Sequence, residues 1–342
     1  MAIAVGIVND MRLAATVLER AVTADPEIKV AWIAADGLEA VKCCAENRPD
    51  VVLMDLVMPN LDGARATQRI MRDTPCPILV VTSTVQGNMD LVYEAMGHGA
   101  LDVCTTPVVG DKREADDGAE LRRKILSIHR LAVQRQLPAA SGKKAVVSSK
   151  QEGQPLVAIG ASTGGPAALE TVLSCLPADF SWPIVIAQHI DDGFVEGLGR
   201  WLSKRCGRPV EVVENRAVLS PGGIYLARSH GHLVLRQGGV LGYDAEPKES
   251  FYHPSVDMLF RSAARHAAAG TIGLLLTGMG RDGAEGLLAM RQAGLRTLAQ
   301  DEATAVVYGM PGAAAALNAA QEILPLGDCG ARIQTLTLES IR

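Results

Sequence analysis

The sequence predicts an α/β protein built from two doubly wound domains, and three observations carry that expectation. The chain has 342 residues, more than one hydrophobic core ordinarily organises, since single cores stop growing near about 250 residues. Short apolar runs ending in polar residues alternate with helix-period stretches, the pattern of parallel strands joined by crossover helices. That alternation breaks at a polar, small-residue tract over 138–154 and then starts again. The domains are therefore placed at 1–137 and 155–342, with 138–154 as the linker.

In the first domain an apolar run over 3–8 ends in Asn9-Asp10, another over 51–54 ends in Asp55, and a third over 77–81 ends in Thr82-Ser83. Continuous apolar runs of this length read as strands buried on both faces of a parallel sheet. Helical spacing fills 13–21, 37–47 and 64–72 between them. A charged stretch follows Pro107, then a helical pattern over 119–136. The tract from Pro138 to Pro155 is small, polar and basic without apolar periodicity, the composition of a flexible linker. Beyond it, apolar runs over 156–159, 184–187 and 271–276 predict a second parallel sheet.

Composition narrows the function classes. With 48% hydrophobic and 21% charged residues the chain has the balance of a soluble globular protein. A net charge of −5 offers no electrostatic footprint for nucleic acid or anionic membrane, so neither is an expected partner. The seven cysteines form no Cys-x-x-Cys pair and read as reduced core thiols rather than zinc ligands. Met1 leads straight into a strand-like run with no basic leader, and no apolar run approaches bilayer length, so a cytoplasmic chain without membrane insertion is expected.

The chemistry concentrates at three strand ends of the second domain. The run 156–159 leads into Gly160-Ala161-Ser162-Thr163-Gly164-Gly165, and Pro166 follows in the first turn of a helix. This is a Gly-x-Ser-x-Gly match in the strand-turn-helix setting such a nucleophile needs, with free N–H groups at the helix start able to bind an oxyanion. The same loop could instead cradle a phosphate, so its partners decide. The run 184–187 delivers Gln188-His189, and 271–276 delivers Thr277-Gly278-Met279-Gly280-Arg281-Asp282-Gly283. A serine hydroxyl needs a histidine to take its proton, and the histidine needs a carboxylate to fix its tautomer. The order Ser, His, Asp differs from that of α/β-hydrolases, which argues against that fold. Taken singly, His189 is equally a structural histidine and Asp282 a helix cap before Ala284. Asp191 and Asp192 are rival carboxylates; His230, His232 and His253 are rival bases, placed second because 229–232 reads as a turn and His253 precedes Pro254.

These stretches resemble the CheB family of chemotaxis protein-glutamate methylesterases. The likeness runs through Ile159-Gly-Ala-Ser-Thr-Gly-Gly-Pro166, Gln188-His189, Pro221-Gly222-Gly223, His253-Pro-Ser-Val-Asp257, Leu276-Thr-Gly-Met-Gly-Arg-Asp-Gly283, Ala299-Gln300-Asp301 and Val307-Tyr-Gly-Met-Pro311. It implies Ser162 as nucleophile, His189 as general base and Asp282 as orienting carboxylate, with Thr163 and the Met279 backbone N–H at the oxyanion and substrate. It implies no cofactor for the esterase. The implied substrate is the methyl ester of glutamate side chains on the cytoplasmic domain of methyl-accepting chemoreceptors, hydrolysed to glutamate and methanol, with glutamine deamidation alongside.

In the first domain Asp10 and Asp55 close two strands, and two carboxylates converging there can hold Mg²⁺ while one accepts a phosphoryl group. Strand-end aspartates also commonly cap helices. The run Val51-Val-Leu-Met-Asp-Leu-Val-Met-Pro-Asn-Leu-Asp-Gly63 resembles the phosphoacceptor segment of CheY-like receiver domains. The resemblance implies phosphorylation at Asp55 by a chemosensory histidine kinase, Mg²⁺ held by Asp10, Asp55 and the Val57 carbonyl, and Thr82 as the hydroxyl that senses the phosphoryl group. Two positions depart from that pattern: Asn9 stands where a second acidic residue is implied, and Thr106 where a lysine is. An amide removes a negative charge, and threonine removes a cation that would pair with phosphoryl oxygens.

The Asn9-Asp10-Met11 start, the Thr106-Pro107 end and the Gln188-His189-Ile190-Asp191-Asp192 segment are similar to the Wsp-type branch, which serves surface sensing and biofilm formation. The family pattern further implies that the unphosphorylated receiver covers the esterase and that phosphorylation shifts the population to an open form. The rivals are a nonenzymatic receiver-linked regulatory protein of a chemosensory pathway, and a nucleotide-binding enzyme using 160–165 as a phosphate loop.

Overall fold

The computed structural model describes residues 2–83, 88–107, 118–133, 154–245 and 253–340, and the chain divides into two compact units, Met1–Leu137 and Pro138–Arg342. The expected linker lies, apart from Gln154, outside the described residues, as do the charged stretch after Pro107 and the end of the helix expected over 119–136.

The first unit runs β1 (Ile3–Val8), α1 (Arg12–Thr23), β2 (Ile28–Ala34), α2 (Gly37–Glu46), β3 (Val51–Met54), α3 (Gly63–Asp73), β4 (Ile78–Thr82), α4 (Met89–Gly97), β5 (Asp102–Thr105) and α5 (Ala119–Val133). Its strands pair in parallel in the order β2-β1-β3-β4-β5. Helix α1 packs with α5, while α2, α3 and α4 pack in succession, the two-faced winding of the flavodoxin-like order. Every residue of β3 and β4 is buried, which is why both read from sequence as unbroken apolar runs. Strands β2 and β5 are the edges; their mixed burial leaves no such run, and neither is legible as a strand beforehand. Two aspartates begin helices: Asp36 accepts from Glu39 N at 2.8 Å and Asp62 from Arg65 N at 2.8 Å. Gly63 is required at the head of α3, because a Cβ there would lie 2.0 Å from the Asp55 carbonyl oxygen.

The second unit continues with β6 (Val157–Ala161), α6 (Gly165–Ser174), β7 (Ile184–Gln188), α7 (Asp192–Cys206), β8 (Val210–Val213), β9 (Arg216–Val218), β10 (Ile224–Ala227), β11 (His232–Arg236), β12 (Val240–Asp244), α8 (Val256–His266), β13 (Ile272–Leu275), α9 (Ala284–Gln292), β14 (Arg296–Gln300), α10 (Met310–Ala316), β15 (Glu322–Leu324) and α11 (Leu326–Ser340). The main sheet is parallel in the order β15-β14-β13-β6-β7-β10-β8, and a separate antiparallel sheet has the order β11-β12-β9. Helices α7, α6 and α11 pack in one group, and α8, α9 and α10 in another. From β6 the chain proceeds to β7 on one side and later returns to β13 on the other. Such a reversal opens a crevice at the carboxyl ends of the strands.

Among the described residues no helix is long and apolar enough to cross a membrane.

Candidate active site

Ser162 follows β6, His189 follows β7, and Asp282 sits in the loop after β13. These three strands are neighbours in the order β13-β6-β7, so their carboxyl ends bring the three side-chain types to one crevice. Backbone hydrogen bonds hold the segments in register: Ser162 N donates to Thr277 O at 3.0 Å, and His189 N donates to Ala161 O at 3.0 Å. Gln188, only 2% exposed, spans two of them, its Nε2 donating to Ser162 O at 2.9 Å and to His189 O at 2.9 Å. The third is braced by Thr277, whose hydroxyl donates to Thr163 O at 3.0 Å and accepts from Val307 N at 2.9 Å.

The turn after β13 approaches the serine closely. A Cβ on Gly278 would lie 2.7 Å from the Ser162 Cβ and 2.2 Å from the Met310 sulfur, so no larger residue fits there. Met279, half-buried, follows directly, and Thr163, buried, follows Ser162. Helix α6 opens at Gly165, one residue before the proline, and Gly165 N donates to Ser162 O at 2.7 Å.

His189 and Asp282 meet: His189 Nε2 lies 2.8 Å from Asp282 Oδ2, with both side chains almost wholly buried. With Nε2 on the carboxylate, Nδ1 is the ring nitrogen for proton exchange with a nucleophile. Asp282 does not cap α9; that position is Gly283. Its carboxylate instead accepts from the start of α8. Oδ2 takes His189 Nε2 and Val256 N (2.7 Å), and Oδ1 takes Ser255 Oγ (3.0 Å), Asp257 N (3.0 Å) and Gly283 N (3.0 Å). A helix N-terminus favours an anion through its unpaired N–H groups. Burial pushes the Asp282 carboxyl up, but the His189 hydrogen bond and charge, with the Asp257 and Val256 amides, outweigh it and hold the group below the ordinary carboxylate range.

The rival residues are placed elsewhere. Asp192 accepts from Arg228 Nη1 at 3.3 Å and from Ser229 N at 3.1 Å, and Asp191 is the exposed residue preceding α7. His230 packs against Tyr243 with ring centroids 4.4 Å apart and planes tilted by 41°. His232 is not in a turn as expected but opens β11, and its Nδ1 accepts from Ser255 N at 3.1 Å.

In the first unit Asp55 follows β3, Asn9 and Asp10 follow β1, and Thr82 ends β4. Asn9 Nδ2 donates to Asp55 Oδ2 at 3.0 Å, while Asn9 Oδ1 accepts from Met11 N at 2.9 Å. Asp55 is raised above the ordinary carboxylate range by burial and by the charge of Asp10, against the lowering effect of the Leu56 and Val57 amides. Thr106 N donates to Thr82 O at 3.0 Å, which places Thr106 beside the strand end that carries Thr82. Lys124 does not supply the missing cation there. It is held at the opposite end of β5, 2.6 Å from Val103 O and 3.3 Å from Asp102.

Two hard carboxylates at adjacent strand ends, Asp55 raised first by burial and then by the charge of Asp10, suit a divalent cation with oxygen ligands. Replacing Asn9 by Asp should strengthen Mg²⁺ binding roughly tenfold or more, because a full charge beside a divalent ion exceeds about 1.4 kcal/mol even at an effective dielectric near 20. Calorimetric titration of wild type and Asn9→Asp with Mg²⁺ checks this; equal affinities would contradict it.

Comparison with known proteins gives a consistent result. Residues 157–333 match the CheB methylesterase family and residues 5–113 the response regulator receiver domain. The chain is 50% identical over 331 residues to a "protein-glutamate methylesterase/protein-glutamine glutaminase of group 3 operon" from Pseudomonas putida, covering 96% of this chain and 98% of that one. It is 49% identical over 334 residues to protein-glutamate methylesterase/protein-glutamine glutaminase 1 of Burkholderia lata, covering 97% and 98%. Among solved structures, the CheB methylesterase catalytic domain of Thermotoga maritima superposes with a TM-score of 0.51 at 33% identity, covering 54% of this chain and 98% of that domain.

Proposed function

The chain belongs to the CheB methylesterase family, and from that premise we propose that it is a response-regulator protein-glutamate methylesterase. Its substrates are glutamate 5-O-methyl esters on the cytoplasmic domain of a methyl-accepting chemoreceptor, cleaved to glutamate and methanol; glutamine deamidation is the companion reaction. One observation supports the esterase reading above the others: a buried His189–Asp282 pair at 2.8 Å, on strand ends flanking the one that carries Ser162.

The residues divide the work as follows. Ser162 Oγ attacks the ester carbonyl as His189 Nδ1 takes its proton, and Asp282 stabilises the resulting imidazolium. Charge developing on the carbonyl oxygen falls to the backbone N–H groups of Thr163 and Met279. The tetrahedral intermediate collapses, and the methoxide leaves as methanol with the proton held by His189. Water, deprotonated by the same nitrogen, then attacks the acyl-enzyme, and the glutamate carboxylate leaves as Ser162 regains its proton.

Asp282 sets the shape of the acid limb. Its carboxyl is lowered in the folded state, so its charge and the stability it confers are present above the ordinary carboxylate range and are lost only as pH falls through the lowered value. Protonation of Asp282 should therefore add no second proton to the fall of kcat/KM on mild acidification, which keeps a slope of one. A two-proton limb would contradict this assignment.

For control, the receiver takes a phosphoryl group at Asp55 from a chemosensory histidine kinase, and the Thr82 hydroxyl senses it. Mg²⁺ would be held by the carboxylates of Asp10 and Asp55 and the Val57 carbonyl, where it neutralises charge on the transferred group. This reading places the protein in the cytoplasm with its substrate. A small-molecule phosphodonor with Mg²⁺ should stimulate methanol release by wild type, and Asp55→Asn should bring the ratio of stimulated to unstimulated rate to one. Equal stimulation of the variant would refute phosphorylation control at Asp55.

A further inference from the structure

We propose that His232 is a positioning residue for the esterase, holding the first turn of α8 in the conformation that cages Asp282; this rests on the methylesterase reading above. His232 is fully buried, at 0% exposure. A backbone N–H can only donate, so the 3.1 Å contact from Ser255 N to His232 Nδ1 requires a lone pair on Nδ1. In the neutral ring the proton then sits on Nε2. Protonation of Nδ1 would set donor against donor, which excludes His232 as the general base in this arrangement.

Ser255 is the residue before α8, and the bond to His232 fixes where that helix begins. Its hydroxyl accepts from Met258 N at 3.4 Å and donates to Asp282 Oδ1 at 3.0 Å. The next two amides, Val256 N and Asp257 N, donate to Asp282 at 2.7 and 3.0 Å. Three consecutive residues thus supply Ser255 Oγ and two amides to one carboxylate, and His232 anchors the first of the three. The ring is wedged by His253, stacked on it with centroids 4.6 Å apart and planes 18° apart. Among the described residues, ionisable groups near it besides His253 include Asp244, opposite it in register on β12, and Asp282 beyond Ser255.

The variants that test this separate a hydrogen-bond acceptor from a volume. Asparagine can offer its carbonyl oxygen where Nδ1 stands, glutamine reaches past that point toward Nε2, and leucine fills the space with no acceptor. His232→Leu and His232→Gln should lower kcat for methanol release roughly 10- to 100-fold, the scale of a small misplacement of a catalytic group, with KM unchanged. His232→Asn should keep kcat within a few-fold of wild type. The Val256 and Asp257 amides help hold the Asp282 carboxyl down, so losing them should move the acid limb of kcat/KM to higher pH in the Leu and Gln variants.

A packing role alone would favour the variants that fill the space, Leu and Gln, over Asn, and would leave the acid limb in place; either result overturns the proposal. Should the Leu variant not fold, the Asn and Gln pair gives the same contrast. Wild-type turnover measured alongside separates the two levels. An inactive wild type brings down the esterase reading and this inference with it, whereas an active wild type with equally active variants brings down this inference alone.

Discussion

Asp282→Asn is expected to lower kcat/KM for methanol release by roughly 10⁴-fold, the scale seen when a triad carboxylate becomes an amide in serine proteases. The hydrogen-bond pattern gives the reason. Oδ1 accepts from three donors and Oδ2 from two, one of them His189. An asparagine satisfies the larger set by keeping its carbonyl toward Ser255, Asp257 and Gly283, which turns its NH₂ toward His189 and Val256. His189 Nε2 must then accept, its proton moves to Nδ1, and the nitrogen that should receive the Ser162 proton already carries one. The same rotation leaves the buried Val256 N–H facing a donor, a cost of about 1–3 kcal/mol. The variant should therefore lose activity and also unfold at lower temperature. Full activity would show that Asp282 does not set the tautomer.

Ser162→Ala should have the larger kinetic effect, roughly 10⁶-fold in kcat by analogy with loss of a serine nucleophile in a protease, with no comparable loss of stability. The contacts that hold this turn are made by the backbone: Ser162 N to Thr277 O, Gly165 N to Ser162 O, and Gln188 Nε2 to Ser162 O. Alanine keeps all three, so thermal unfolding should shift by no more than about 0.5 kcal/mol. The pair of variants is diagnostic together, one inactive and stable, the other inactive and weakened. Retained turnover in Ser162→Ala would mean that water is activated directly, without an acyl-enzyme.

The strands most legible in the sequence were those buried on both faces. Strands β1, β3, β6, β7 and β13 appear as apolar runs because solvent reaches neither side of them, whereas the edge strands β2 and β5 and the small sheet of β9, β11 and β12 do not. Ser162, His189 and Asp282 were legible because strand ends deliver them. The cage around Asp282 was not, since backbone amides carry no residue signature and Ser255 lies 27 positions away. His232 ranks second in the sequence because 229–232 reads as a turn, and its burial and its bond to Ser255 reveal what it supports. In the receiver the sequence shows an amide at Asn9 where an acidic residue is implied; the structure adds that this amide is bonded to the Asp55 carboxylate itself.

The most direct measurement is methanol release from methylated receptor cytoplasmic domains incubated with the full-length wild-type protein, Mg²⁺ and a small-molecule phosphodonor, with methyl-ester loss followed by mass. Stoichiometric methanol and a matching gain of glutamate carboxylates are predicted. No release by the phosphorylated wild type would contradict the assignment of Ser162, His189 and Asp282 as an esterase.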